Sequence, residues 1–221
     1  MDSPELYRLI SWLSPSFPVG AYTFSHGLEY AADAGLVSSS TELQDWIETV
    51  LRYGTGRVDA MLIRAAYDTS EEELQDIIEL ASAMKGTSEL SKESRSQGQA
   101  FAKTVASAWH CDLSGLIQGE SIEAPYSVAV ALACKGSNIP VASVLTAYLH
   151  AFVSNLVSAA MRLIPIGQTD GQKIIAGMAD VVAEVVDDAM RSPMTDIGSS
   201  TPMVDWASMQ HESQHTRLFR S

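Results

Sequence analysis

The chain has 221 residues, 46% of them apolar, and a formal net charge of −13. That length suits one large domain or two small ones, and the apolar share can fill a sizeable core. A surface this acidic repels phosphate backbones and anionic lipid heads, so nucleic acid and membrane surfaces are not expected partners, whereas a basic protein face is compatible. Cys111 and Cys134 form neither a close-spaced metal motif nor a disulfide framework and are expected to be reduced and mostly buried. Met1-Asp2-Ser3-Pro4-Glu5 lacks the basic region and apolar run of a signal peptide, so a cytoplasmic location is expected.

Helical signals then follow one another almost end to end. Pro4 suits a first helical turn, and Leu6, Leu9, Ile10 and Leu13 recur at helical spacing. Pro15, Pro18 and Gly20 break that helix, and a second is predicted from about Thr23 to Ala34, stopped by Gly35. Ser40 or Thr41 caps a third, with Leu43, Trp46, Ile47, Val50 and Leu51 on one face. Gly54 and Gly56 interrupt before a helix over about Val58 to Tyr67. Ser70 followed by Glu71, Glu72 and Glu73 reads as the capped, acidic start of another, with Leu74, Ile77, Ile78, Ala81 and Met84 as its buried stripe.

A longer and more polar helix is predicted from Ser88 to Trp109, and Pro125 opens a segment through Cys134. Val141 to Ile164, between Pro140 and Pro165, is long enough to cross a bilayer, but His150, Asn155 and Arg162 make a lone span costly in lipid. A buried central helix of a bundle is expected there. Gln172 to Met190 reads as one further helix, and Pro193 to Pro202 as a linker before a polar tail tipped with large apolar groups. The fold class is therefore all-α: a single-domain, multi-helix bundle around a long buried central helix, with a helical domain over 1–192. Residues 193–221 are expected to be a linker and flexible C-terminal tail.

The most enzyme-like pattern is His211-Glu212-Ser213-Gln214-His215, which fits HExxH; on a helix both histidines would share a face and bind zinc, with Glu212 as base. Only six residues follow His215 and a linker precedes the segment, so a zinc hydrolase is the minor alternative. A generic helical scaffold for an unrelated client is another. No P-loop and no G-x-S-x-G elbow occurs, and Gly54-Thr55-Gly56 lacks the lysine that would follow.

Four segments carry a family resemblance. Ser14-Pro15-Ser16-Phe17-Pro18-Val19-Gly20-Ala21-Tyr22-Thr23-Phe24-Ser25-His26-Gly27-Leu28-Glu29 resembles the signature "SPxFPVGAYxxSxGLE" of the UreF family of urease accessory proteins. Arg162-Leu163-Ile164-Pro165-Ile166-Gly167-Gln168-Thr169-Asp170-Gly171-Gln172 is similar to that family's "RLxPLGQTDGQ". His211-Glu212 with Arg217-Leu218-Phe219-Arg220-Ser221 resembles its ending "HExxYSRLFxS", and Glu93-Ser94-Arg95-Ser96-Gln97-Gly98 adds a shorter match. His215 stands where the family usually has Tyr, which makes the zinc pattern a coincidence of one substitution. Ala124-Pro125-Tyr126 departs from a family "HYPVA".

The resemblance implies an accessory protein without catalytic site, metal or cofactor. It would dimerise and bridge a UreD (also called UreH) scaffold and the GTPase UreG, coupling GTP hydrolysis by UreG to nickel insertion into apo-urease. It implies a tail that orders on partner binding, with Arg217 as anchor beside Leu218 and Phe219. Tyr22, Ser25, His26, His211 and Glu212 join the tail residues on the UreD/UreH side. Glu93, Arg95 and Arg162 are assigned to the UreG side, although either arginine can instead pair with an acid such as Glu93 or Asp170. Pro18, Gly20 and Gly27 shape the first motif, and Gln168, Asp170, Gly171 and Gln172 form a tight connection in which Gln168 and Asp170 cap the next helix.

Overall fold

The computed structural model describes residues 1–118, 121–122 and 124–221. Eleven α-helices occur among them: α1 (Ser3–Trp12), α2 (Leu28–Asp33), α3 (Ser40–Tyr53), α4 (Thr55–Asp68), α5 (Leu74–Ala83), α6 (Ser88–Trp109), α7 (Tyr126–Gly136), α8 (Val141–Leu163), α9 (Gln168–Gly177), α10 (Ala179–Arg191) and α11 (Pro202–His211). The fold is all-α. Its one departure among the described residues is a two-residue antiparallel ladder, β1 (Ile117–Gln118) against β2 (Ser121–Ile122).

Local chemistry explains several helix starts. Asp2 accepts from the Glu5 N–H while Glu5 accepts from the Asp2 N–H, closing a capping box on α1. Ser39 caps α3 and Thr87 caps α6, each through its hydroxyl. α5 differs from expectation: Ser70 bonds only the Glu73 side chain, and the helix starts at Leu74 without a side-chain cap. The predicted helix over 172–190 is two helices, α9 and α10, parted at Met178. On α1 the inward residues are Leu9 and Trp12, whereas Leu6 and Ile10 face solvent. Trp12 turns edge-on to Phe101 and Trp109, which seats α1 on α6.

α8 is the expected long core helix, with Val144, Leu145, Leu149, Val153, Leu156 and Val157 buried. It is also the one helix among the described residues long and apolar enough to cross a membrane. It shares the centre with α4, whose residues 58–63 are all buried and which packs against α3, α7, α8 and α10. Cys134 lies in this core, where burial pushes its thiol up to about 12; Cys111 is half-buried and shifted the same way.

α6 carries polar residues inward. Glu89, Glu93, Ser94 and Gln97 are all buried, and the Ser94 hydroxyl accepts from the Tyr126 N–H at 3.3 Å. That contact serves an α7 start which has only Pro125 at its cap position. Gly98 makes the approach possible, since a Cβ there would lie 1.9 Å from the Ala124 carbonyl oxygen. Gly98→Ala is expected to cost about 3 kcal/mol, the upper part of the usual range for overpacking. It would be read as a lower denaturant midpoint at unchanged slope.

Residues 193–221 lie along the bundle. The Ser200 N–H donates to the Tyr53 carbonyl at 2.7 Å, and Thr201 packs on Gly54 at the α3–α4 junction. α11 then packs on α2 and α6 and delivers the last ten residues to the first motif.

Candidate functional site

The first motif builds one wall of the site. Gly20 has φ 73°, a left-handed turn after Pro18, and the short 3-10 helix Ala21–Thr23 follows. His26 and Gly27 are left-handed in succession, φ 58° and 78°, so α2 begins only at Leu28 and not near Thr23. Tyr22 therefore projects outward, 66% exposed, whereas Ser25 and His26 are turned into the protein. A Cβ at Gly27 would lie 3.0 Å from the Ser208 N–H nitrogen, so glycine lets α11 lie against the start of α2. The strained His26 backbone is held by its ring, with Nε2 2.9 Å from the Thr55 hydroxyl, Nδ1 3.4 Å from Glu93 and the Phe152 ring nearly perpendicular to it, centroids 5.2 Å apart.

Three buried glutamates receive the tail. Glu29 of α2 accepts from the Leu218 N–H at 2.6 Å and the Phe219 N–H at 2.9 Å. It also faces His211 Nε2 at 2.9 Å, while Glu89 of α6 faces His211 Nδ1 at 2.8 Å. Arg217 donates to Glu89 at 3.2 Å, and the Ser221 hydroxyl donates to Glu93 at 3.0 Å. Main-chain bonds complete the seam: Arg220 N–H to the Thr23 carbonyl, and Ser25 N–H to the Ser221 carbonyl, both at 2.8 Å. Phe219 is 4% exposed beneath Arg162, whose Cζ stands 4.1 Å from the ring centre and whose Nη2 donates to the Tyr22 carbonyl at 2.7 Å.

Burial pushes the Glu89 carboxyl above the usual range, against the opposing pull of His211 and then Arg217. Burial likewise lowers the Arg162 guanidinium, with the Glu29 charge acting the other way. Chemically, the arrangement holds peptide: carboxylates accept two main-chain N–H groups, and an arginine plane covers an aromatic ring.

Nine of the residues singled out from sequence meet here: Tyr22, Ser25, His26, Glu93, Arg162, His211, Arg217, Leu218 and Phe219. Glu212 is exposed beside the cluster and accepts from the Ser88 hydroxyl. Arg95 is exposed on α6 and pairs with nothing among the described residues; Arg162 takes neither Glu93 nor Asp170. The Gln168–Gln172 connection lies apart. A Cβ at Gly171 would lie 3.1 Å from the Met161 sulfur and from a Val157 methyl, so glycine lets α9 pack close to α8. Gln168 and Asp170 cap nothing: Gly167 holds the cap position, and Asp170 pairs with Lys173.

The zinc reading fails on geometry. α11 ends at His211, so His215 is exposed beyond the helix and shares no face with it. Both His211 nitrogens are committed to carboxylates, which leaves no lone pair for a metal. Glu29 and Glu89 are the members of this cluster that the sequence reading did not single out. Glu29 was only the last letter of a motif, and Glu89 was one unmarked acid within the helix expected from Ser88 to Trp109. The available signal was the spacing of Glu89, Glu93 and Gln97, one turn apart on a single face.

Comparison with known proteins gives a consistent result. The UreF family model matches residues 37–179. A urease accessory protein UreF of Rhodopseudomonas palustris (strain HaA2) is 42% identical over 222 residues, covering 98% of this chain and 94% of its own. The proteins of that name from Bradyrhizobium diazoefficiens and Granulibacter bethesdensis are each 42% identical, covering 100% and 98% of this chain and 93% and 94% of their own.

Proposed function

This chain belongs to the UreF family of urease accessory proteins, and from that membership we propose that it bridges a UreD/UreH-type scaffold and a UreG-type GTPase. It is an accessory protein and not an enzyme. The bridge couples GTP hydrolysis by UreG to nickel insertion into apo-urease, in the cytoplasm, with two copies of this chain in the assembled complex. No P-loop occurs in the sequence, so the phosphate chemistry belongs to the GTPase.

The observation that supports this reading most is the composition of the outer face of the tail. Phe219 and Ser221 are turned inward, while Tyr22, Arg217 and Leu218 stand outward around them. An exposed leucine and tyrosine beside an arginine fork are the residue types that anchor protein interfaces. Partner binding locks the tail in this position and places it on the UreD/UreH side.

Two variants test the tail, at Leu218 on its outer surface and at Arg217 on the edge where it also reaches Glu89. Leu218 is 61% exposed, so Leu218→Asp leaves the inner bonds intact and is expected to weaken capture of the UreD/UreH-type protein. Arg217→Ala is expected to cost about 2 kcal/mol, close to thirtyfold in affinity, by the usual size of an arginine hot spot. Unchanged capture by both variants, measured by co-purification, would remove the tail from the interface. Full urease activity in a deletion strain grown on limiting nickel would remove the maturation role itself.

A further inference from the structure

The contacts of His211 contain a proton that ordinary protonation states do not supply. Its side chain is wholly buried, with 0% exposure, and its two nitrogens stand 2.9 and 2.8 Å from Glu29 and Glu89. An ionised carboxylate only accepts, and a neutral imidazole has a single N–H. Two such contacts therefore need one proton more than a neutral ring between two carboxylates carries. That proton rides on the ring, as imidazolium, or on a carboxyl.

We infer that this extra proton operates a clasp for the C-terminal tail: the tail is docked while the Glu29–His211–Glu89 triad holds it and released when it leaves. With the proton bound, two carboxylates face the imidazolium and Arg217, and the buried charges cancel. Without it, a nitrogen lone pair confronts a carboxylate and one negative charge is left uncompensated away from water. The cost falls on the tail because Glu29 also holds the Leu218 and Phe219 N–H groups, and Glu89 holds Arg217.

The surrounding groups do not replace the missing proton. Glu29 comes from α2, Glu89 from α6 and Arg217 from the tail. Farther along the seam, Glu93 faces His26 and the Ser221 hydroxyl, Arg162 is engaged with Phe219 and the Tyr22 carbonyl, and Glu212 is exposed. The sign is consistent with Glu89, which holds a proton more tightly than an exposed glutamate: that contribution favours the docked state at lower pH and fades as pH rises. The clasp stands apart from the partner assignment, and either can fail alone.

The test uses the full chain carrying 4-fluorophenylalanine at its five phenylalanines, with the Phe219 resonance identified by Phe219→Leu. Ring-labelled histidine reports His211 in the same samples. From about pH 5 to about pH 9, a span that covers and extends above the range in which an ordinary imidazole changes charge, the Phe219 signal should move from a buried to a solvent position together with the His211 ring signals. The docked-to-free ratio should fall up to about tenfold per pH unit beyond the midpoint, the limit for one linked proton. His211→Gln should abolish the pH dependence. Glu89→Gln should keep Phe219 docked at high pH, because its amide supplies the hydrogen that the proton otherwise provides. A Phe219 signal that stays buried across the whole range, or a transition that survives in His211→Gln, overturns the clasp.

Discussion

Lys85→Met is expected to lower folding stability by about 3–5 kcal/mol, the range found when one partner of a buried ion pair is removed. The Lys85 ammonium lies 2.7 Å from Asp59, and the two side chains are 5% and 6% exposed. Asp59 sits in the buried stretch of α4, the helix at the centre of the bundle, and is only 4% exposed, so its charge is largely removed from water. Its second oxygen accepts from the Tyr148 hydroxyl at 2.9 Å. Burial, reinforced by the Asp59 charge, holds that hydroxyl well above its ordinary value, so it stays a donor at all working pH. One hydroxyl does not neutralise a carboxylate. The double variant Lys85→Met/Asp59→Leu removes both charges and should recover a large part of the loss, since an apolar replacement of a buried pair is often neutral. Denaturant midpoints of the two single variants and the double variant measure the coupling. A double variant as unstable as Lys85→Met alone would show that packing, and not charge, makes this contact.

Asp59 also marks a limit of reading from sequence. Sequence signals located the starts of α3, α6 and α8 to within a residue or two, because punctuation such as Pro140 is local. The α3 cap is Ser39, just before the expected Ser40 or Thr41, and Thr87 caps α6. Periodicity merged α9 with α10, because the valines of α10 continued a plausible stripe past Met178. It also ran the second helix too far towards the N-terminus. The left-handed pair His26 and Gly27 delays that start, and a histidine is a much weaker signal of positive φ than a glycine, although its type is enriched there.

The site was legible as motifs and illegible as a shape. Tyr22, Ser25, His26 and the tail residues were found by resemblance, but the inward turn of Ser25 and His26 follows from that same backbone reversal. The pairing of His211 with Glu29 spans 182 positions, and with Glu89 it spans 122. No local pattern encodes a contact at that separation. What sequence could have supplied was the oddity of a polar face on a helix that packs against α7 through a glycine.

Glu29→Gln is expected to undock the tail while leaving the bundle folded. Glu29 accepts three hydrogen bonds with two oxygens: Leu218 N–H on one, Phe219 N–H and His211 Nε2 on the other. An amide replaces one of those oxygens with a donor, so at least one donor in the seam meets another donor. Bonds to a charged acceptor are worth roughly 1.5–3 kcal/mol each, so losing the charge and one or two bonds removes about 3–5 kcal/mol from docking. The loss is local because α2 keeps Leu28 and Ala31 in the core whatever the tail does. Thermal unfolding should therefore shift modestly, while trypsin cleaves after Arg217 and Arg220 far faster than in the unsubstituted chain. Capture of the UreD/UreH-type protein should fall with tail docking, which sets this variant beside Leu218→Asp: the first loses the partner by freeing the tail, the second keeps the tail protected. Glu29→Gln with tail proteolysis unchanged would mean that the glutamate does not hold the tail, and that Phe219 beneath Arg162 alone keeps it in place.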